Sequence, residues 1–91
     1  MKLAEEQLVG AMQSLSGWGS HGNALVREFS FESFVKAMEF LNQVAGQAEA
    51  AGHHPDMHVF YNRVRLELST HDEGGVTEKD VELARVISGL Y

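Results

Sequence analysis

Apolar residues recur at helical spacing in three stretches of the chain and at alternating spacing in others, with Gly, Pro, Asn and Ser at the joints. Ala4, Leu8, Ala11 or Met12, and Leu15 form one apolar stripe, with Glu5, Glu6 and Gln13 on the other faces and Gly17 as a stop. This predicts a short surface helix. Trp18-Gly19-Ser20-His21 and Ala24-Leu25-Val26-Arg27-Glu28-Phe29 are separated by Gly22-Asn23, a pair that tolerates the positive φ of a tight turn. They predict a hairpin, with Trp18 as a core anchor beside it. Ser30 or Ser33 is a candidate cap for a long helix in which Phe34, Met38, Leu41, Ala45 and Ala48 recur at intervals of four, three, four and three. Phe31, Val35, Phe40 and Val44 widen its apolar surface beyond one stripe, so either the sheet wraps it or a second subunit covers the flank.

Gly52 ends that helical pattern, and Pro55 disfavours helical geometry for His54, so His53 and His54 sit at a forced break in the chain. Val59 and Tyr61 then alternate with His58 and Phe60, Asn62-Arg63 is a candidate turn, and Val64, Leu66 and Leu68 alternate with Arg65, Glu67 and Ser69. If that second strand persists, His71 emerges on the face of Arg65, Glu67 and Ser69, away from the apolar set. Asp72-Glu73-Gly74-Gly75 is a loop, and Thr77 with Asp80 three residues on suits a capping arrangement for a last helix through Val81, Ala84, Ile87 and Leu90. The expected fold is α+β: a four-stranded antiparallel sheet with three helices on one face, in the order α-ββ-α-ββ-α, forming a single domain over residues 1–91.

Composition narrows the function. Seven Lys and Arg against 13 Asp and Glu leave a formal net charge of −6, the wrong sign for a direct nucleic-acid partner. No apolar run approaches the roughly 20 residues of a membrane span, and Glu5 and Glu6 interrupt what would be the core of a signal peptide. The absence of cysteine removes thiolate chemistry and fits a reducing compartment, so a soluble, cytoplasmic protein is expected. A chain of 91 residues also has a modest core, for which association is a natural supplement.

The chemistry concentrates between Glu49 and Asp80, which hold four of the five histidines and the only proline. Glu49 lies on the last turn of the long helix, and His53 meets the negative end of its macrodipole, which makes His53 a candidate acid. His53, His54 and His58 with Glu49 are ligand types that zinc or iron accepts. A metal site is nonetheless disfavoured, because no HExxH spacing occurs and adjacent side chains in extended chain diverge. No serine stands in a nucleophile elbow. Imidazoles around a cleft without nucleophile or metal suit proton transfer near neutral pH, while solvated loop histidines and a purely capping Asp80 remain the bland alternative.

Glu49 is followed after three residues by His53-His54-Pro55, after five more by Tyr61, after nine by His71 and after eight by Asp80. Together with Gly17-Trp18, the strand from Ala24 to Phe29, Tyr61-Asn62-Arg63-Val64, Thr70-His71-Asp72 and Gly74-Gly75-Val76-Thr77, this run resembles the pterin-4a-carbinolamine dehydratase family over nearly the whole chain. Met57 departs from it, since some members carry tryptophan there; this bears on how a pterin ring would pack and leaves the proton-transfer groups in place.

The resemblance implies a 4a-hydroxytetrahydrobiopterin dehydratase, a hydro-lyase that converts 4a-hydroxytetrahydropterin to quinonoid dihydropterin and water. The reaction takes no metal or other cofactor. It recycles the pterin released by aromatic amino acid hydroxylases, which are thereby pathway partners. By the same resemblance His53 and His71 are the acid/base pair, and His54 binds and orients substrate beside Pro55. Asp80 holds His71 or a neighbouring donor, and Glu49 acts on His53 or through water. A homodimer or homotetramer is expected. Relatives that serve as dimerisation cofactors or assembly proteins supply the alternative, a non-catalytic module that binds a protein partner.

Overall fold

The computed structural model describes residues 1–91. Its elements are α1 (Glu5–Met12), β1 (Gly19–His21), β2 (Ala24–Ser30), α2 (Phe34–Ala51), β3 (Asp56–Phe60), β4 (Arg63–Leu68), one 3-10 turn (His71–Glu73) and α3 (Glu78–Leu90). The sheet is antiparallel with strand order β1-β2-β4-β3, so the two hairpins meet at the central pair β2 and β4. The expected α+β architecture and its α-ββ-α-ββ-α order are observed.

Period-two alternation gives the sheet its two faces. Val64, Leu66 and Leu68 of β4, with Leu25 and Phe29 of β2, are buried on one side against α2 and α3. Their neighbours Arg63, Arg65 and Glu67, paired with Ser30, Glu28 and Val26, occupy the other. Trp18 is buried as expected, meets Phe29 edge to face at 6.1 Å and donates its indole N–H to Ser88 Oγ at 2.9 Å, so its polar atom is satisfied within the core.

The long helix starts where Ser33 caps it, accepting from the Lys36 N–H at 3.1 Å. Its inward stripe differs from the expected one. Ala37, Phe40, Leu41, Val44 and Ala48 are buried, whereas Phe34 and Ala45 are exposed. Phe40 and Val44 therefore belong to the chain's own core, and the large apolar residues left on the helix surface are Phe34 and Val35, 48% and 62% exposed. The second hairpin also turns one residue earlier than expected. Phe60 pairs with Arg63, which makes Tyr61-Asn62 the turn, and Tyr61 takes a left-handed φ of +56°. No helix is long and apolar enough to cross a membrane.

Candidate active site

The two ends of the site are built by chain termination. At the C-terminus of α2, Gly52 adopts φ +63°, its N–H bonds to Glu49 O, and the His53 N–H reaches back to Ala48 O at 3.1 Å. These are the paired bonds of a Schellman closure, and they tie the main chain of His53 to the helix it has just left. Buried Pro55 then starts the extended segment leading into β3, and His54 between them remains exposed.

At the other end β4 stops at Leu68, before the chain reaches His71. Thr70 pairs with Gly75 in an isolated antiparallel bridge, and the residues between them close into the 3-10 turn. His71 stands on this exposed turn at the rim, where it also lines a second hollow together with Glu67 and Ser69 of the expected face. The turn brings it to the same recess as the other two histidines. A cavity of about 320 Å³ is lined by Gly52, His53 and His54 on one side, Ser69 to Asp72 on the other, and Lys79 at the start of α3. A larger groove of about 480 Å³ runs between α2 and α3, but of the histidines it touches His53 alone. The smaller recess is the candidate site because His53, His54 and His71 all line it.

Asp80 is the buried anchor beneath it, with none of its surface exposed. Its Oδ2 accepts from the Thr77 main-chain N–H and from the Thr70 hydroxyl, both at 2.8 Å, and its Oδ1 accepts from His53 Nε2 at 2.5 Å. The first contact completes the capping box expected at the start of α3. With Asp80 ionised its oxygens only accept, so the last contact calls for the proton on Nε2 and leaves Nδ1 as the ring nitrogen for a ligand. The carboxylate thus holds His53 and Thr70, the neighbouring donor, rather than His71. Glu49, for its part, contacts His54, Oε2 to Nε2 at 2.5 Å, and not His53. Both partners of that pair are more than half exposed, so it is worth at most about 1 kcal/mol.

His58 lies outside the recess, on the far sheet face, where it pairs with Glu67 at 3.3 Å. No three His, Asp or Glu side chains stand together as a metal-binding group. Sequence reading did not single out Thr70 or Lys79, which also line the recess; the signals for them are adjacency to His71 and to Asp80.

Against known proteins, residues 1–90 match the family model described as Pterin 4 alpha carbinolamine dehydratase. The chain belongs to this family. A relative from Koribacter versatilis, provisionally named a pterin-4-alpha-carbinolamine dehydratase, is 49% identical over 98% of this chain and 95% of its own length. One from Sulfolobus acidocaldarius, named in the same provisional way, is 47% identical over 99% of both chains. Among solved structures, a transcriptional coactivator/pterin dehydratase from Brucella melitensis superposes with a TM-score of 0.95 at 38% identity, covering 99% of this chain and 98% of that one. A pterin dehydratase-like protein described as a RuBisCO assembly factor of the alpha-carboxysome superposes with a TM-score of 0.66 over 80% of this chain and 84% of that one. At 22% identity it shares the fold.

Proposed function

We propose that this member of the family is a 4a-hydroxytetrahydropterin dehydratase working by histidine acid/base catalysis. The observation that carries the reading is the buried contact between Asp80 and His53. A helix cap needs one carboxylate oxygen, on the Thr77 N–H; here the second is turned to an imidazole at the edge of an open recess.

In the dehydration the C4a–O bond breaks, N5 gives up its proton, an N5–C4a double bond forms, and hydroxide leaves as water once protonated. One group must take a proton and another must supply one, on either side of a flat ring. His53 takes the N5 proton at Nδ1. Asp80 lies where it offsets the charge the ring then gains, as a buried carboxylate does behind other catalytic histidines. His71, from the opposite wall, protonates the leaving hydroxyl. His54 binds and orients the pterin, with Glu49 steadying its ring and buried Pro55 setting its backbone. Macrodipole reasoning alone makes His53 an acid; the carboxylate at Nε2 suits it to accept.

The reading gives the protein a place in tetrahydrobiopterin-type cofactor recycling, downstream of an aromatic amino acid hydroxylase, in the cytoplasm and as a homo-oligomer. Generation of the 4a-hydroxy compound by a hydroxylase, with and without added protein, tests it. Faster appearance of quinonoid dihydropterin is expected, and an unchanged rate overturns the assignment. The non-catalytic alternative, an assembly or dimerisation module, would show that unchanged rate together with an intact fold.

A further inference from the structure

The hydrogen bonds around Thr70 connect the two walls of the recess. Its main chain closes the turn that carries His71: Thr70 N–H donates to Gly75 O at 2.9 Å, and Thr70 O accepts from the Glu73 N–H at 3.0 Å. Its side chain reaches the buried anchor beneath the recess, donating from Oγ1 to Asp80 Oδ2 at 2.8 Å. The same oxygen lies 2.8 Å from Thr77 Oγ1. Since the Thr70 proton goes to the carboxylate, which cannot donate, the Thr77 hydroxyl supplies the proton of that second bond. Thr77 Oγ1 in turn accepts from the Lys79 N–H. Every proton from Lys79 through Thr77 and Thr70 therefore points toward Asp80 Oδ2, and the chain converges there with His53, whose Nε2 meets the other carboxylate oxygen.

The geometry points to Thr70 as a positioning residue for the dehydration, its hydroxyl setting His53 against His71 through Asp80. With Oδ2 occupied by the Thr70 hydroxyl and the Thr77 N–H, Oδ1 is the oxygen that faces the imidazole. One rotation of the carboxylate is thereby selected, and with it one orientation and one tautomer of His53. Because the same residue hinges the His71 turn, any shift of the turn is transmitted to Asp80, and the separation of the two imidazoles is held as a unit. Thr70 itself need touch no reacting atom.

This inference rests on the proposed dehydratase reading, and its test separates the two. Thr70→Val keeps the branched shape in an extended backbone position and removes the hydroxyl, whereas Thr70→Ser keeps the hydroxyl. A lost hydrogen bond to a charged group corresponds to roughly tenfold or more in rate, so Thr70→Val is expected to lower kcat by that factor with KM nearly unchanged. Thr70→Ser should recover most of it. Imidazole nitrogen NMR should show His53 as a single Nε2–H tautomer in the wild type and in Thr70→Ser, and as a mixture in Thr70→Val, whatever the activity. Equal impairment of both variants, or a lower melting point in Thr70→Val with normal kcat well below it, would overturn the role. If wild type shows no dehydration, the functional reading fails, and an unchanged His53 spectrum in Thr70→Val still rejects the positioning of His53.

Discussion

Asp80 divides its two oxygens between a helix and a histidine: Oδ2 caps α3 through the Thr77 N–H, while Oδ1 meets His53 Nε2 at 2.5 Å. Structure and chemistry are consequently coupled at one side chain, and a substitution there moves both. In Asp80→Asn the amide has one oxygen for three donors, and its NH2 group confronts either the Nε2 proton of His53 or the donors of Thr70 and Thr77. A stability loss of about 1.5–3 kcal/mol is expected, the value of a buried hydrogen bond to a charged group. Turnover should fall further, roughly 10²-fold or more. Thermal melts and initial rates well below the melting point separate the two effects; a rate loss no greater than the unfolded fraction would reduce Asp80 to a cap.

His53→Ala and His71→Ala should each lower kcat roughly 10²-fold or more, because each removes one of the two groups proposed to transfer protons. His54→Ala is expected to act chiefly on KM, since the proposed role of its ring is to orient substrate and it is exposed, without the buried support that His53 has. Glu49→Ala should follow His54 with a smaller effect, given the weak exposed pair between them. Steady-state kinetics on the four variants check the order, and near-normal kcat in both His53→Ala and His71→Ala would sink the acid/base assignment.

Treatment with a chelator should leave turnover unchanged. The ground is geometric: Asp80 engages His53 Nε2, Glu49 engages His54 Nε2 on the exposed side, and His58 is committed to Glu67 on the other sheet face. Activity that requires added zinc would show that these groups reorganise around a metal.

The element order, the hairpin turn at Gly22-Asn23, the Gly52 helix stop and the Thr77–Asp80 cap were all legible in the sequence, because each rests on local chemistry within about four residues. Three features were not. Two apolar stripes on α2 share Leu41 and Ala48 and differ by a small rotation, so periodicity alone does not choose between Phe34-Met38-Ala45 and Ala37-Phe40-Val44; packing against the sheet does. Tyr61 has the propensity of a strand residue, yet the pairing of Phe60 with Arg63 puts it in the turn. The partners of Asp80 and Glu49 depend on where the β4 to α3 connection lands beside the end of α2, a relation between segments distant in sequence. The candidate site residues could therefore be named from their spacing and the family resemblance, while the contacts among them came only from the fold.

Tyr61 offers a test independent of catalysis. A non-glycine residue at φ +56° costs roughly 1–2 kcal/mol, and this side chain is 71% exposed, so it recovers little by packing. Tyr61→Gly relieves the strain at some cost in unfolded-chain entropy and is expected to stabilise the monomer fold by up to about 1 kcal/mol. A lower denaturant midpoint would show instead that the ring is covered by something, which a second subunit would supply.

The covering of exposed apolar surface is also what predicts assembly. With Phe40 and Val44 inside the chain's own core, the surplus lies on Phe34 and Val35 of α2 and on Met57, Val59 and Phe60 of β3, each between 39% and 62% exposed. β3 is an edge strand, pairing only with β4, so its outer main-chain groups are open to another strand as well. Each of these side chains that a second copy fully covers contributes on the order of 1.5 to 3 kcal/mol. A net charge of −6 opposes self-association through the long-range field, which places the attraction in these apolar contacts. Val35→Glu, which puts a carboxylate into such a contact, is expected to shift the protein toward smaller species without loss of fold, because the side chain points to solvent within one chain. Light scattering at micromolar concentration measures this; a compact wild-type monomer would mean that the exposed faces of α2 and β3 serve no contact between copies.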